Sequence, residues 1–251
     1  MSSSPEKATF WEHLDELRSR IIKMLLLTVV LSGAVFLMKD VLFQVLLAPK
    51  DSSFVSYRLL GIPPFSVQLI NTGLTEQFMV HIRTATYVGI LVASPYIIYQ
   101  LFCFVSPGLY DSERRYTIVT VAAAYLMFLL GTVLNFFLFF PLTVRFLGTY
   151  QVSPEVINAI TLQSYIDTLI SMSFMMGVIF ELPVICWLLA RFGIIDGQFM
   201  SNYRRHAVVA ILILAAIVTP TTVVFSLLVV SLPIWLLYEV SIWIVNATFC
   251  K

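Results

Sequence analysis

Apolar residues form four runs along the chain, each close to the length of about 20 residues that a helix needs to cross the hydrocarbon core of a bilayer. The second run extends upstream towards Glu76, which places His81 and Arg83 in its outer turns. Runs of this length predict membrane-spanning helices. The four predicted spans are Ile21–Met38, Tyr87–Val105, Tyr116–Phe140 and Thr168–Ala190.

The last apolar stretch, between Arg205 and Glu239, is too short for two full spans and a turn. A polar turn that contains Pro220 interrupts it. We therefore predict a hairpin of two short helices, His206–Val218 and Val223–Val245, with both ends on one side of the membrane. The pattern leaves open whether the hairpin spans the membrane or re-enters it.

Composition supports a polytopic membrane protein. Apolar residues make up 59% of the chain and charged residues 12%, whereas soluble domains have about 45–50% and about 25%. The mean hydropathy is +0.93. A net charge of +1 without a basic stripe indicates no nucleic-acid partner. The three cysteines are far apart and predict neither a disulfide framework nor a zinc site. The first 20 residues lack the apolar core of a signal peptide, so we expect the first span to be retained.

Basic residues predict the orientation. A cytoplasmic N-terminus places ten basic residues in inner segments and four in outer segments, with Arg83 set aside. The positive-inside rule then favours two cytoplasmic termini. In this layout residues 1–20 form a cytoplasmic helix, 39–75 and 141–165 are long outer loops, and 106–115 and 191–205 are short cytoplasmic loops. No internal repeat supports an inverted-repeat transporter.

The N-terminal segment carries the first candidate carboxylate. Thr9 to Glu12 fits a capping box, and apolar residues then recur at spacings of four, three and four. We expect an amphipathic helix that lies along the cytoplasmic interface before it turns into the first span. Glu16 on its polar face either binds a partner or pairs with Arg20, four residues on, as part of a solvated surface.

A second carboxylate, Glu113, lies in the inner loop before the third span. Pro107-Gly108 predicts a turn there, and Asp111 or Ser112 can cap the helix that follows. Glu113 in the first turn is favoured by the helix dipole, which explains it without a further function. The loop nevertheless places this carboxylate on the same side of the membrane as Glu16.

A third acid, Glu181, lies near the middle of the fourth run, within Phe180-Glu-Leu-Pro183. An ionised side chain there costs at least about 2.5–3.5 kcal/mol. We expect Glu181 to be neutral, paired or facing water, and to be functional. The alternative is structural, because Pro183 deprives the Ile179 carbonyl of its helical partner and a protonated Glu181 can donate to it. Pro95 and Pro233 likewise predict kinks.

Catalytic motifs are absent from the sequence. It has no nucleophile elbow, no zinc-protease motif and no phosphate-binding glycine loop, and its three histidines are scattered. We therefore expect neither an enzyme nor a cofactor or metal site.

Seven segments, in order over nearly the whole chain, resemble the TatC family, the receptor subunits of the twin-arginine protein translocase. The first, from His13 to Arg20, resembles the H-L-x-E-L-R-x-R signature that opens the family. The segments are His13–Arg20, Ala48-Pro49, Ala93–Gln100, Phe104–Arg115, Phe180–Pro183, Thr219-Pro220 and Leu237–Glu239.

This resemblance implies an all-α membrane protein of six transmembrane helices in a concave, glove-like arrangement, with short fifth and sixth helices and cytoplasmic termini. It implies residence in the cytoplasmic (inner) membrane, and transport of folded precursors driven by the proton-motive force without ATP. The implied partners are twin-arginine signal peptides, single-span subunits of the TatA and TatB type, further copies of the receptor and the lipid bilayer.

The resemblance also assigns residues. Glu16 and Glu113 would receive the two arginines, since a carboxylate accepts the planar guanidinium fork with two hydrogen bonds and lysine cannot reproduce that geometry. Flanking residues of this signal-peptide site would be Leu17, Arg18 and Phe104. Glu181 would meet a polar residue of a partner helix or admit water. Structural and assembly roles would fall to Pro49, Pro95, Pro183, Pro220 and Glu239.

Two departures concern the region where partner subunits dock. Family members usually carry an acid shortly after the Thr-Pro of the fifth-to-sixth turn, whereas residues 221–238 contain none, and Leu227 stands where glutamine is common. Two other functions are compatible with parts of the sequence. One is a small-solute secondary transporter that uses Glu181 as a proton relay, and the other is an intramembrane protease, which lacks a nucleophile motif.

Overall fold

A computed structural model of the chain describes residues 10–65, 67–105, 117–150, 153, 159–218 and 224–249. The predicted all-α membrane class is confirmed, because the described residues are mainly helical and contain five segments long and apolar enough to cross a membrane. These segments are Leu14–Leu37, Glu76–Phe104, Ile118–Thr149, Leu162–Arg191 and Leu227–Thr248.

The elements follow one another closely. In chain order they are α1 (Phe10–Leu37), α2 (Lys39–Leu46), a 3-10 turn (Ala48–Lys50), α3 (Val55–Leu59), β1 (Leu69–Ile70), α4 (Glu76–Val105), α5 (Thr117–Leu134), a π-helical turn (Asn135–Phe139), α6 (Phe140–Thr149), β2 (Ile160–Thr161), α7 (Leu162–Phe180), α8 (Leu182–Arg191), α9 (Gly197–Asn202), α10 (Arg204–Val218) and α11 (Val224–Phe249).

The predicted turn between the N-terminal helix and the first span is wrong. Helix α1 runs without interruption from Phe10 to Leu37. Its sequence between these ends contains no proline, and its first glycine is Gly33. Leucine, arginine, lysine and methionine are all strong helix formers, so nothing local breaks the helix where polar residues give way to apolar ones.

The third and fourth predicted spans are longer than their apolar runs. Helical structure continues past Phe140 through α6 to Thr149, and α7 begins at Leu162 rather than near Thr168. Pro141 lacks the N–H that would bond to the Phe137 carbonyl, but that carbonyl accepts instead from the Ser56 hydroxyl, and the helix continues. Thr161 caps α7, since its side chain accepts a hydrogen bond from the Ser164 N–H. Much of segment 141–165 is therefore helical.

The predicted C-terminal hairpin is half right. Helix α10 has 15 residues, which is shorter than a perpendicular span requires. Helix α11 has 26 residues and is not short, which corrects the expectation that both helices would be short. It continues through Pro233, as α4 continues through Pro95.

The chain divides into two compact units, Met1–Met38 with Ala85–Tyr125 and Lys39–Thr84 with Leu126–Lys251. Within the first unit α1 and α4 approach closely at Gly89. A Cβ atom added at this glycine would overlap Ser32 Oγ and lie 2.8 Å from Ser32 Cα. Position 89 therefore has no room for any side chain.

Helices α7 and α11 of the second unit each contribute apolar side chains to its buried core. Ile166, Met172 and Met176 of α7 and Val230 and Ile234 of α11 are fully buried. A polar contact accompanies this core, since the Nδ2 atom of buried Asn135 donates to Ser173 Oγ at 2.8 Å. The π-helical turn that begins at Asn135 thus directs an amide towards α7.

Two buried polar side chains organise the connecting segments of the second unit. The Tyr57 side chain is 1% exposed, and its hydroxyl lies 2.8 Å from the Pro49 carbonyl oxygen and 3.0 Å from that of Pro141. Glu76 is the first residue of α4 and lies near the short parallel sheet in which Leu69 of β1 is opposite Ile160 of β2. Both side chains join parts of the chain that are far apart in sequence.

The Glu76 carboxylate accepts hydrogen bonds from three backbone N–H groups. Its Oε2 atom lies 3.0 Å from the N atom of Thr72 and 2.9 Å from that of Gly73, and its Oε1 atom lies 3.2 Å from the N atom of Gln163. The carboxylate therefore ties the turn before α4 to the start of α7.

Candidate functional site

The Glu16 cavity is a recess of about 410 Å³ in the first unit, between the start of α1 and the end of α4. Residues three, four and seven positions apart share one face of a helix, so four polar residues of α1 line one wall. Three residues of α4 line the other. The lining consists of Glu16, Ser19, Arg20 and Lys23 from α1 and Tyr99, Gln100 and Cys103 from α4.

The Glu16 carboxylate already binds a guanidinium. Arg20 Nε and Nη2 both donate to Glu16 Oε1, at 3.0 and 2.5 Å, and Arg20 Nη1 donates to Gln100 Oε1 at 2.8 Å. The i to i+4 pair expected from the sequence is thus confirmed, and Gln100 is a partner that the sequence did not indicate. The Glu16 side chain remains 40% exposed, against 21% for Arg20. A second guanidinium can therefore reach this carboxylate from solvent.

The other residues assigned to the signal-peptide site take different positions. Leu17 is half-buried and Arg18 is exposed on α1, and Phe104 is half-buried in the last turn of α4. None of these three lines the cavity. Glu113 and its loop lie outside the described residues, so its distance from Glu16 stays a prediction.

Glu181 occupies a one-residue interruption between α7 and α8. Pro183 lies in the first turn of α8, in agreement with a break in the helix at this point. The Glu181 Oε1 atom is buried and has no hydrogen-bond partner among the described residues. This oxygen makes no bond to the Ile179 carbonyl, so the structural alternative for Glu181 gains no support from it.

The remaining assigned residues have local contacts. Pro49 is buried, and its carbonyl accepts from Tyr57. Pro95 has no N–H to donate to the Leu91 carbonyl. That carbonyl accepts instead from the Ser94 hydroxyl at 2.6 Å. Glu239 pairs with Arg204, Oε2 to Nη2, at 2.8 Å. Pro220 lies outside the described residues.

Sequence reasoning missed Tyr57 as a contact residue and treated Glu76 only as the start of a helix. The sequence did contain one indication that Glu76 makes contacts, since it is an acid in the first turn of a helix, just after a turn that contains Gly73. No local signal identified Tyr57, because its carbonyl partners are 8 and 84 residues away. Within the described residues, no group of His, Cys, Asp or Glu side chains has the arrangement of a metal site.

Comparisons with known proteins agree with this architecture. The family model TatC, Sec-independent protein translocase protein, matches residues 12–233. The chain is 33% identical over 244 residues to a Sec-independent protein translocase protein TatC of Carboxydothermus hydrogenoformans, covering 97% of this chain and 94% of the relative. It is 33% identical over 241 residues to TatCy of Bacillus subtilis, covering 96% and 89%.

The fold is likewise similar to a solved structure. A crystal structure of the twin-arginine translocase receptor TatC superposes with a TM-score of 0.78 at 29% identity, covering 94% of this chain and 99% of the crystallised one. Similarity therefore extends over nearly the full length of both chains.

Proposed function

Because the chain belongs to the TatC family of Sec-independent protein translocase proteins, we propose that its Glu16 cavity receives an arginine of a twin-arginine signal peptide. The protein is a multi-pass membrane component of the twin-arginine translocase and has the receptor role. What the proposal adds is the place and chemistry of cargo recognition.

The main support for the proposal is that the Arg20 guanidinium already pairs with the Glu16 carboxylate. Arg20 demonstrates that this carboxylate and the Gln100 amide together accommodate a planar fork of donors. An incoming arginine offers the same donors. Displacing Arg20 breaks an i to i+4 ion pair, which contributes about 0.3–0.5 kcal/mol on a helix surface, and its hydrogen bond to Gln100, and the incoming guanidinium can form both again. A lysine presents a single point charge and would not replace the fork.

A second carboxylate is required for a pair of arginines. The described lining holds one anion, Glu16, and two cations, Arg20 and Lys23. Two further guanidinium groups would therefore meet net repulsion. We propose that Glu113 supplies the second negative charge, and that Leu17, Arg18 and Phe104 flank the peptide. Recognition would then consist of binding alone, with no chemical step and no cofactor.

Partner subunits would bind at other sites. We propose that single-span subunits of the TatA and TatB type contact the segment around Glu181, whose buried Oε1 atom has no partner among the described residues. The proposed assembly resides in the cytoplasmic membrane, contains more than one receptor copy and uses the proton-motive force. Pro49 and Glu239 would stabilise the receptor through their contacts with Tyr57 and Arg204.

Binding of a fluorescent twin-arginine peptide to the purified protein in nanodiscs tests the site. Glu16→Gln should weaken binding about tenfold, because losing a hydrogen bond to a charged group costs about 1.5 kcal/mol at the lower end, which suits a part-exposed carboxylate. The matched control is Asp15→Asn, which removes an exposed carboxylate next to Glu16 that does not line the cavity. Equal affinities of the two variants would refute the proposed site.

Cys103 provides an independent readout because its thiol lines the same cavity. The peptide should slow alkylation of Cys103 but not of Cys186, the free cysteine of α8. With cytoplasmic termini, a membrane-impermeant reagent applied to intact cells should leave Cys103 unlabelled. Labelling there would invert the proposed orientation.

A further inference from the structure

The α2 cavity is a recess of about 650 Å³ in the second unit, formed by α2 and the segment that follows it to Val55. It lies far along the chain from Glu16 and has no part in the proposed cargo site. Four of its lining residues are charged: Lys39, Asp40, Lys50 and Asp51. Two positive and two negative side chains give the cavity no net charge.

The two lysines of this cavity are available to a ligand. The ion pairs between described residues are Glu16–Arg20, Arg83–Asp167 and Arg204–Glu239, and neither lysine belongs to one. Surface lysines pair readily with carboxylates, yet Asp40 and Asp51 in the same cavity do not hold them. A neutral cavity with separate positive and negative groups complements a ligand that is itself zwitterionic.

Apolar surface adjoins these charges. The rings of Phe43 and Phe54 line the cavity, and each is held by another ring, since Phe43 lies 5.6 Å from His81 and Phe54 lies 5.6 Å from Phe137, centroid to centroid. Val55 also lines the cavity and is 57% exposed. The surface around the cavity can therefore contact a hydrocarbon chain as well as a polar head.

The chain places the α2 cavity at a membrane boundary. The first candidate span ends at Leu37, and Lys39 begins α2 two residues later. Lysines at such a boundary face the phosphate layer of the bilayer. This placement holds for either orientation of the termini.

We propose that the α2 cavity binds one phospholipid whose headgroup carries a phosphate and a primary ammonium, as in phosphatidylethanolamine. Lys39 and Lys50 hold the phosphate, Asp40 and Asp51 accept hydrogen bonds from the ammonium, and the side chains of Phe43, Phe54 and Val55 contact an acyl chain. A quaternary ammonium, as in phosphatidylcholine, has no N–H to donate, so the aspartates discriminate against it.

Lipid titration of the purified full chain, followed by native mass spectrometry, tests this site. Phosphatidylethanolamine should bind more tightly than phosphatidylcholine. Each lysine would donate a charged hydrogen bond to the lipid phosphate, so each Lys→Gln change should weaken binding roughly fivefold and the pair Lys39→Gln with Lys50→Gln roughly thirtyfold.

Three controls separate the proposed site from general effects. Arg58→Gln removes an exposed positive charge of the same segment outside the cavity and should leave binding unchanged. Lys39→Arg with Lys50→Arg keeps both charges and should retain the lipid. Asp40→Asn should reduce the preference for phosphatidylethanolamine.

Two results would overturn the proposal. One is equal lipid binding by the double glutamine variant and by Arg58→Gln. The other is competition by glycerophosphoethanolamine, which has the headgroup without acyl chains, at the same concentration as the lipid. That second result would indicate a headgroup site with no role for the bilayer. Thermal unfolding in phosphatidylcholine nanodiscs confirms that each variant is folded before it is scored.

Discussion

Replacing Glu76 by glutamine is the sharpest test of how the connecting segments are held. The carboxylate is 7% exposed and accepts from the backbone N–H groups of Thr72, Gly73 and Gln163. Glutamine has nearly the same size but offers one acceptor oxygen and one donor group. With its oxygen towards Thr72 and Gly73, its NH₂ group faces the Gln163 N–H, and one backbone donor loses its partner.

The magnitude follows from these contacts. A hydrogen bond to a charged group contributes about 1.5–3 kcal/mol, and the bonds that survive lose their charge assistance. We expect Glu76→Gln to lower the free energy of unfolding by about 2–3 kcal/mol, which corresponds to a Tm about 4–12 °C lower for a chain of this size. The assay is thermal unfolding in detergent, followed by circular dichroism.

A matched control is Arg83→Gln. The pair of Arg83 with Asp167 has similar distances, 3.0 and 3.1 Å, but its side chains are 53% and 38% exposed. Exposed pairs contribute about 0–1 kcal/mol, so this variant should melt close to the native protein. Hydrogen exchange of β1 should also accelerate in Glu76→Gln alone. A loss of Tm no larger than that of Arg83→Gln would refute the reasoning.

Three further predictions concern other contacts. Gly89→Ala should lower Tm, because the added Cβ overlaps Ser32 at a cost of about 1–3 kcal/mol. Gly33→Ala is the control, since it has open space around it and should be neutral or stabilising. Equal melting temperatures of the two variants would contradict the close approach of α1 and α4. Burial raises the pKa of Tyr57 above its ordinary value, so the neutral phenol stabilises the fold below about pH 10 and this stabilisation is lost as pH rises further. Tm should therefore fall more steeply with alkaline pH in the native protein than in Tyr57→Phe. Parallel curves of Tm against pH would contradict this prediction. Glu181→Ala should reduce co-purification of single-span subunits while precursor binding persists, and unchanged co-purification would remove Glu181 from the docking region.

The sequence alone was sufficient to predict the number and approximate position of most membrane-spanning helices, because each span is a continuous run of apolar residues. A helix needs about 20 apolar residues to cross the bilayer, and such a run can be recognised in the sequence without information on tertiary contacts. Helix ends were less predictable. Residues 141–149 continue a helix although their apolar run has ended and they include several weak helix formers, because Thr143 and Val144 are buried and tertiary packing stabilises the helix.

The candidate site was partly predictable for the same reason. Glu16 and Arg20 are four residues apart on one helix, so their pairing follows from helix geometry alone. Gln100 and Cys103 are about eighty residues further along, and nothing near them in sequence indicates that they share a cavity with Glu16. Only the packing of α4 beside α1 brings them together.

The sequence by itself thus determined the membrane class, most spans, the family and the carboxylates to consider. The tertiary structure alone decided which polar groups meet: Arg20 with Gln100, Tyr57 with Pro141, and Glu76 with Gln163. The physical reason is the range of the interactions. Hydropathy and helical periodicity act within one or two turns, whereas a buried hydrogen bond depends on how distant segments pack, which no local pattern records.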